Sequence, residues 1–281
     1  MVRFTCSFLV TAIAVMALGS CLPGSHPWSA PGAALVGGNS PALTEEQKRR
    51  VGMRIWQNEC AGTIEGLTTW NAGENFPSLG IGHTLWFPAG HREPFTETFP
   101  EMVRFIEARG KPAPAWARPP APSPWPDRAA FQREFNSPKM RELRAWLSRT
   151  ISEQTDFLIA RQNAALPKIL AAAPSNERTR ITRHFHALQA TPEGQFALID
   201  YVNFKGEGVN PQERYQGVGW GLLQVLQEMR GEPTGQAAVA EFARASEHVL
   251  MRRIELSPPA RGEQRWRQGW QNRVRAYRNP L

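Results

Sequence analysis

Between Lys111 and Pro126 the chain carries seven prolines together with Trp116 and Trp125. A proline ring fixes φ and removes a backbone donor, so this stretch excludes both a regular helix and a central strand. It reads either as an ordered surface crossing or as a loop insertion. It also divides the chain by character. Upstream, an amphipathic helical pattern gives way to β-formers and turn residues; from about residue 138 onward the apolar spacing is helical. No internal repeat is present. The 281 residues, 41% hydrophobic and 21% charged, fit one large or two modest globular domains, and 24 Pro with 23 Gly imply many turns.

Thr44-Glu45-Glu46-Gln47 fits a capping box and predicts a helix over 45–60. Val51, Ile55 and Trp56 form its apolar stripe, and Glu59, four residues after Ile55, falls on the same stripe. An acid is therefore pointed towards the core. Residues 67–83 combine β-formers in Leu67-Thr68-Thr69-Trp70 with the turn formers Asn71 to Asn75 and a short run from Ser78 to His83, which predicts a small hairpin. Helices are expected at about 138–170, 176–189, 192–204, 212–230, 235–254 and 261–278. Thr191-Pro192-Glu193 supplies a cap, a first-turn Pro and an acid at the positive end of the dipole. Phe196, Leu198, Ile199 and Val202 give that helix its buried face. His184 and His186 are expected on the surface, and Trp56, Trp70 and Trp86 in the core.

At the start of the chain Arg3 precedes an apolar run from Phe8 to Leu18, too short for a comfortable membrane span but suited to a secretion signal. The run ends Leu18-Gly19-Ser20-Cys21, which resembles the bacterial lipobox; that resemblance implies cleavage before Cys21 and lipidation of Cys21. Leu22 in place of Asp then favours the outer membrane. Residues 22–42 have the Gly, Ala, Ser and Pro content of a tether. Removing the signal takes the net charge from +8 to +7 and discards Cys6, so Cys60 has no intramolecular partner and the core must hold the fold. The sequence holds no CxxC, HExxH or Gly-Lys-Ser/Thr loop. Gly80-Ile81-Gly82 is not a dinucleotide loop, because Leu85 stands where the third Gly belongs and no βαβ pattern surrounds it.

An acid ending an amphipathic helix, then a hairpin with a second acid, then Ser78-Leu79-Gly80-Ile81-Gly82-His83, resembles the phage-type lysozymes of the lysozyme superfamily. A second stretch, Ala197 to Glu207, resembles that family's central helix and its Gly-Glu turn, and Trp266 to Tyr277, with Arg273, resembles its closing Arg-rich helix. The resemblance implies a catalytic Glu at the helix end, an acid in the hairpin, and Ser78 in the position of a Thr that orients water. The carboxylates depart from the pattern. Ala72 stands where the family has Asp, and Glu74 lies two residues on, on the same face of an extended strand. Two residues compete for the first acid. Glu65-Gly66-Leu67 copies the family's local run, whereas Glu59 ends the better amphipathic helix; Glu59 is preferred because a general acid needs a helix terminus against the core.

Two carboxyls suit glycosidic cleavage: one donates a proton to the leaving oxygen while the other, ionised, stabilises the oxocarbenium-like state or activates water. Burial beside Ile55 and Trp56 suits Glu59 to the first role, and a polar hairpin with Asn71 and Asn75 suits Glu74 to the second. The expected fold is α+β, mostly α, lysozyme-like, with a small β-hairpin lobe and a larger helical lobe. Residues 1–20 form the signal, 21–42 the tether and 43–281 the domain, with the Pro-rich insertion around 111–126. The expected activity is a cofactor-free peptidoglycan hydrolase of the cell envelope that cleaves the β-1,4 bond between N-acetylmuramic acid and N-acetylglucosamine. Glu59, Glu74, Ser78 and Glu65 are its candidate catalytic residues, and Asn71, Asn203 and Lys205 its candidate substrate contacts. Its partners are glycan strands and a membrane reached through the Cys21 anchor, with no metal and no nucleic acid; His83 is expected to be structural. The tail 261–278, whose only acid is Glu263, reads as a solvated face or a guide for anionic glycans. Two rival readings stand: a lytic transglycosylase working with one Glu, and a non-catalytic glycan-binding lipoprotein, for which Ala72 argues.

Overall fold

The computed structural model describes residues 43–93 and 96–281. The signal, the tether and Cys21 lie outside the described residues. With 62% helix and 5% strand the fold is α+β and mostly α.

Helix α1 (Glu45–Cys60) begins at the capping box: the Gln47 amide donates to Thr44 Oγ1 at 3.2 Å and the Thr44 amide to Gln47 Oε1 at 2.9 Å. Ala61 ends it in the left-handed region, at φ 54°. Three two-residue strands follow, β1 (Thr68–Thr69), β2 (Ser78–Leu79) and β3 (Thr84–Leu85), all antiparallel in the order β1-β2-β3. The expected hairpin is thus a three-stranded sheet, because the chain turns at Gly80–His83 and pairs once more beyond it. Helix α2 (Phe99–Glu107) leads into the Pro-rich stretch, an ordered crossing interrupted only by a 3-10 turn at Ala115–Ala117. Trp86 anchors it: its indole donates to Ala121 O at 3.1 Å, and its ring packs against Trp116 and Trp125.

A short helix α3 (Arg128–Arg133) precedes α4 (Pro138–Arg149) and α5 (Ile151–Ala172), so the single helix expected at 138–170 is broken. The break is at Thr150, whose φ and ψ of −115° and 25° leave the helical region while its hydroxyl donates back to Trp146 O at 3.0 Å. Helices α6 (Arg178–Gln189) and α7 (Pro192–Lys205) fall close to the sequence reading. The helix expected at 212–230 is instead a hairpin, β4 (Arg214–Tyr215) with β5 (Val218–Gly219), followed by α8 (Leu222–Glu228). Its turn needs positive φ at both Gln216 (48°) and Gly217 (80°), which no helix allows. Helix α9 (Gly235–Leu256) and a shortened α10 (Arg267–Arg275) complete the fold. His184 is buried rather than on the surface: its two ring nitrogens lie 3.0 Å from Leu226 O and 3.0 Å from Gly231 O, tying α6 to the end of α8.

Helix α1 packs against α5 and α7, and α7, buried from Gly194 to Tyr201, is the central element. Two buried side chains join the sheet to the helices: Arg144 of α4, whose Nε donates to Thr68 Oγ1 at 2.7 Å, and Gln154 of α5. Gln154 Oε1 accepts from the Ile81 amide at 2.9 Å, while its Nε2 donates to Leu147 O at 2.7 Å and to Thr150 Oγ1 at 3.1 Å. The glycines on either side of Ile81 are there for this approach. A Cβ on Gly80 (φ 74°) would stand 2.4 Å from Gln154 Oε1, and one on Gly82 would stand 2.6 Å from Leu158.

Gly80→Ala should therefore cost roughly 2–4 kcal/mol, combining left-handed strain with disruption of a buried hydrogen bond. Gly73, at φ 85° with nothing within 4 Å of an added Cβ, bears the strain alone, and Gly73→Ala should cost about 1–2 kcal/mol. Urea unfolding of the two variants measures the difference.

Candidate active site

The last turn of α1 presents Asn58, Glu59 and Cys60 to the centre of the molecule. The Glu59 side chain is only 8% exposed, and its Oε1 is paired with Arg273 Nη2 from α10. Arg273 is in turn gripped by Asp200 of α7, with Nε to Oδ2 and Nη2 to Oδ1 both 2.8 Å. Tyr277 donates to Asp200 Oδ2 at 2.6 Å and Asn58 to Oδ1 at 3.4 Å. Burial opposes the charge of Arg273, but the Asp200 and Glu59 carboxylates outweigh it and hold the guanidinium ionised well above its ordinary range. Burial likewise raises the Tyr277 phenol, and Asp200 adds to that, so it stays a donor.

Asp200 is thus the fully satisfied carboxylate of the two. Glu59 Oε2 has His83 Nδ1 as its polar neighbour among the described residues, at 3.6 Å, which is beyond hydrogen-bond length. It is the one oxygen of the pair with free capacity. His83 sits at φ 48° at the end of the Gly80 turn; burial lowers its pKa, Glu59 opposing and Arg273 adding to the effect, so the ring favours its neutral form. Its Nε2 is 3.7 Å from Cys60 Sγ. Burial pushes that thiol up, with Glu59 contributing, so Cys60 is an inert free cysteine.

The other sequence candidates spread around this centre. Glu65 is exposed at the start of a 3-10 turn, Glu65–Leu67, and does not join the Arg273 cluster. Ser78 is buried on β2, opposite Thr69 and Leu85. Glu74, in the β1–β2 loop, accepts from Asn71 Nδ2 at 3.1 Å. Its environment differs from the expected one: burial pushes its carboxyl up to about 7, against the Asn71 hydrogen bond and with Glu93 adding to the rise. The hairpin is polar in composition, yet burial there favours the neutral form of this acid. Asn203 is half-buried with its Nδ2 unpartnered, and Lys205 ends α7 between two aromatic rings.

Sequence reasoning assigned no role to Asp200 or Tyr277. The signal for Asp200 was present, as an acid between Ile199 and Tyr201 within the apolar run of α7; its partners lie more than 70 residues away and left none. Comparison with protein-family models, with curated proteins and with solved structures finds no match.

Arg273→Met should cost about 3–5 kcal/mol, because two buried carboxylates lose the cation between them. Adding Asp200→Asn should recover part of that, and urea denaturation of the single and double variants reads both effects. Glu74 gives a pH signature. With its folded pKa raised, the stability it contributes is full below about 4.5 and is lost as pH rises through about 7. Glu74→Gln, discounted for solvent screening, should stabilise the protein by about 1–2 kcal/mol at pH 8 and hardly at pH 4.

Proposed function

We propose that the protein is a peptidoglycan hydrolase of lysozyme-like fold in which Glu59 is the general acid. The observation that carries the reading is the asymmetry of the Glu59 carboxyl: Oε1 is fixed by Arg273, itself clamped by Asp200, while Oε2 has no hydrogen-bond partner among the described residues. A proton on Oε2 can be delivered to a glycosidic oxygen without disturbing the group that orients the acid. The cation of Arg273 remains beside the carboxylate as charge develops there. Glu74, in the β1–β2 loop, and Ser78, on β2, are proposed to serve the sugar cation and the attacking water. Anchoring through a lipidated Cys21, with residues 21–42 as tether, would place the domain at the outer membrane within reach of the glycan strands.

One observation favours the transglycosylase reading. A carboxyl pushed up to about 7 is only partly ionised at neutral pH and is a poor stabiliser of positive charge, so Glu59 would act alone and the muramyl hydroxyl would close on its own carbon.

Mass spectrometry of purified sacculi treated with the protein separates these outcomes: reducing ends mean hydrolysis, anhydro ends mean transglycosylation, and unchanged glycan means a binding protein. Glu59→Gln should abolish turnover, since the amide has no proton to give. Glu74→Gln should cost several orders of magnitude in a two-carboxylate hydrolase and little in a transglycosylase. A folded Glu65→Gln without activity beside an active Glu59→Gln would move the acid to Glu65.

A further inference from the structure

Lys205 is an amine with no paired anion among the described residues. Among the described residues its Nζ has neither hydrogen bond nor ion pair; it lies 3.9 Å from the centroid of the Phe204 ring and 3.6 Å from that of Trp270. Two ring faces attract an ammonium but do not replace its water or supply a counter-charge. Burial accordingly depresses its pKa well below the ordinary lysine value; Arg253 adds to this, Glu263 opposes it and Arg273 adds again. Glu263 is no substitute for a partner. Its carboxylate is fully enclosed and already engaged by Arg253, through bonds of 2.9 and 2.8 Å, and by the Tyr215 hydroxyl at 2.8 Å.

Phe204 is the shared wall between this amine and the candidate acid. The same ring that carries Lys205 Nζ has Arg273 Cζ 4.3 Å from its centroid, and Arg273 holds Glu59. The unpaired amine therefore stands one phenyl ring away from the Glu59–Arg273 pair.

From this juxtaposition we infer that Lys205 reads a carboxylate on the sugar bound beside Glu59, so that the site selects a carboxylate-bearing hexosamine over a neutral one. The inference rests on the hydrolase reading for the class of polymer; the Lys205 site itself rests on an amine that meets two ring faces and, among the described residues, no hydrogen-bond acceptor. A ligand carboxylate would supply the missing charge-assisted hydrogen bond in a partly dry setting, where such a bond is strong. Peptidoglycan offers that group as the lactyl carboxylate of muramic acid from which the stem peptide has been removed, since an attached peptide turns the same carboxyl into a neutral amide. Chitin, with the same backbone linkage, does not.

Calorimetry on the full chain tests this, with Glu59→Gln present to prevent turnover. The probes are a tetrasaccharide of alternating N-acetylglucosamine and N-acetylmuramic acid, the same molecule with its lactyl carboxyls reduced to alcohols, and chitotetraose. The carboxylate form should bind about tenfold more tightly than the reduced form, about 1.4 kcal/mol. Lys205→Met should bring that ratio close to one, whereas Lys205→Arg should keep most of it. The Lys205→Met variant should melt no lower than its parent, because an apolar chain of similar length replaces a desolvated amine. Equal binding of both forms, no binding of any probe, or a ratio that survives in Lys205→Met overturns the inference. Cleavage of sacculi by the parent protein with no preference for peptide-free muramic acid would overturn the Lys205 site and leave the hydrolase reading standing. Preference without cleavage would do the reverse.

Discussion

Arg273 carries a single positive charge into the interior and finds two carboxylates there. Neither Glu59 nor Asp200 would stay in so dry a place unpaired, and a buried guanidinium between them needs both to offset its lost hydration. The three residues come from the first helix, the central helix and the last one, so the cluster forms only when α1, α7 and α10 have docked. Folding and assembly of the site are therefore one event. Tyr277 and Asn58, both turned towards Asp200, complete its hydrogen bonds and leave Glu59 as the less encumbered acid. Two otherwise similar carboxyls are thereby made unequal.

Local signals in the sequence were read well where the physics is local. The capping box at Thr44, the helix it starts and the Pro192 entry to α7 all appear where residue spacing puts them. The Thr150 break was hidden because Trp146, Leu147 and Ile151 continue an apolar stripe across it. What breaks the helix is the demand of Gln154 and Trp146 on the Thr150 hydroxyl and the Leu147 carbonyl, which only tertiary structure reveals. The β4–β5 hairpin was missed for a different reason. Its Gln216-Gly217 turn is short, and the apolar run of α8 that follows carries the helical spacing.

The candidate site divides in the same way. The position of Glu59 at the end of an apolar stripe was visible, since helical periodicity alone places it. The ionisation of Glu74 was not, because composition describes which residues surround an acid in sequence and not how much water reaches it. Asn71 is indeed its partner, yet Asn75 turns to Glu93 instead and brings a second acid into the neighbourhood. Lys205 was singled out from its place in the Lys-Gly-Glu turn, but its lack of a counter-ion is a property of the folded neighbourhood.

Gln154 sets how the molecule can deform. Its amide bolts the Gly80–His83 turn to the start of α5 and to the end of α4, in a contact too tight to admit even a methyl group on Gly80. The sheet and the α4–α5 junction therefore form one rigid lever. Because His83 belongs to that turn and approaches Glu59 Oε2, swinging the lever alters the surroundings of the acid directly. A force on the sheet reaches the helices through this glutamine and through the Arg144–Thr68 hydrogen bond, and the stiffness of those two joints sets how far the sheet can yield before the surroundings of Glu59 are disturbed.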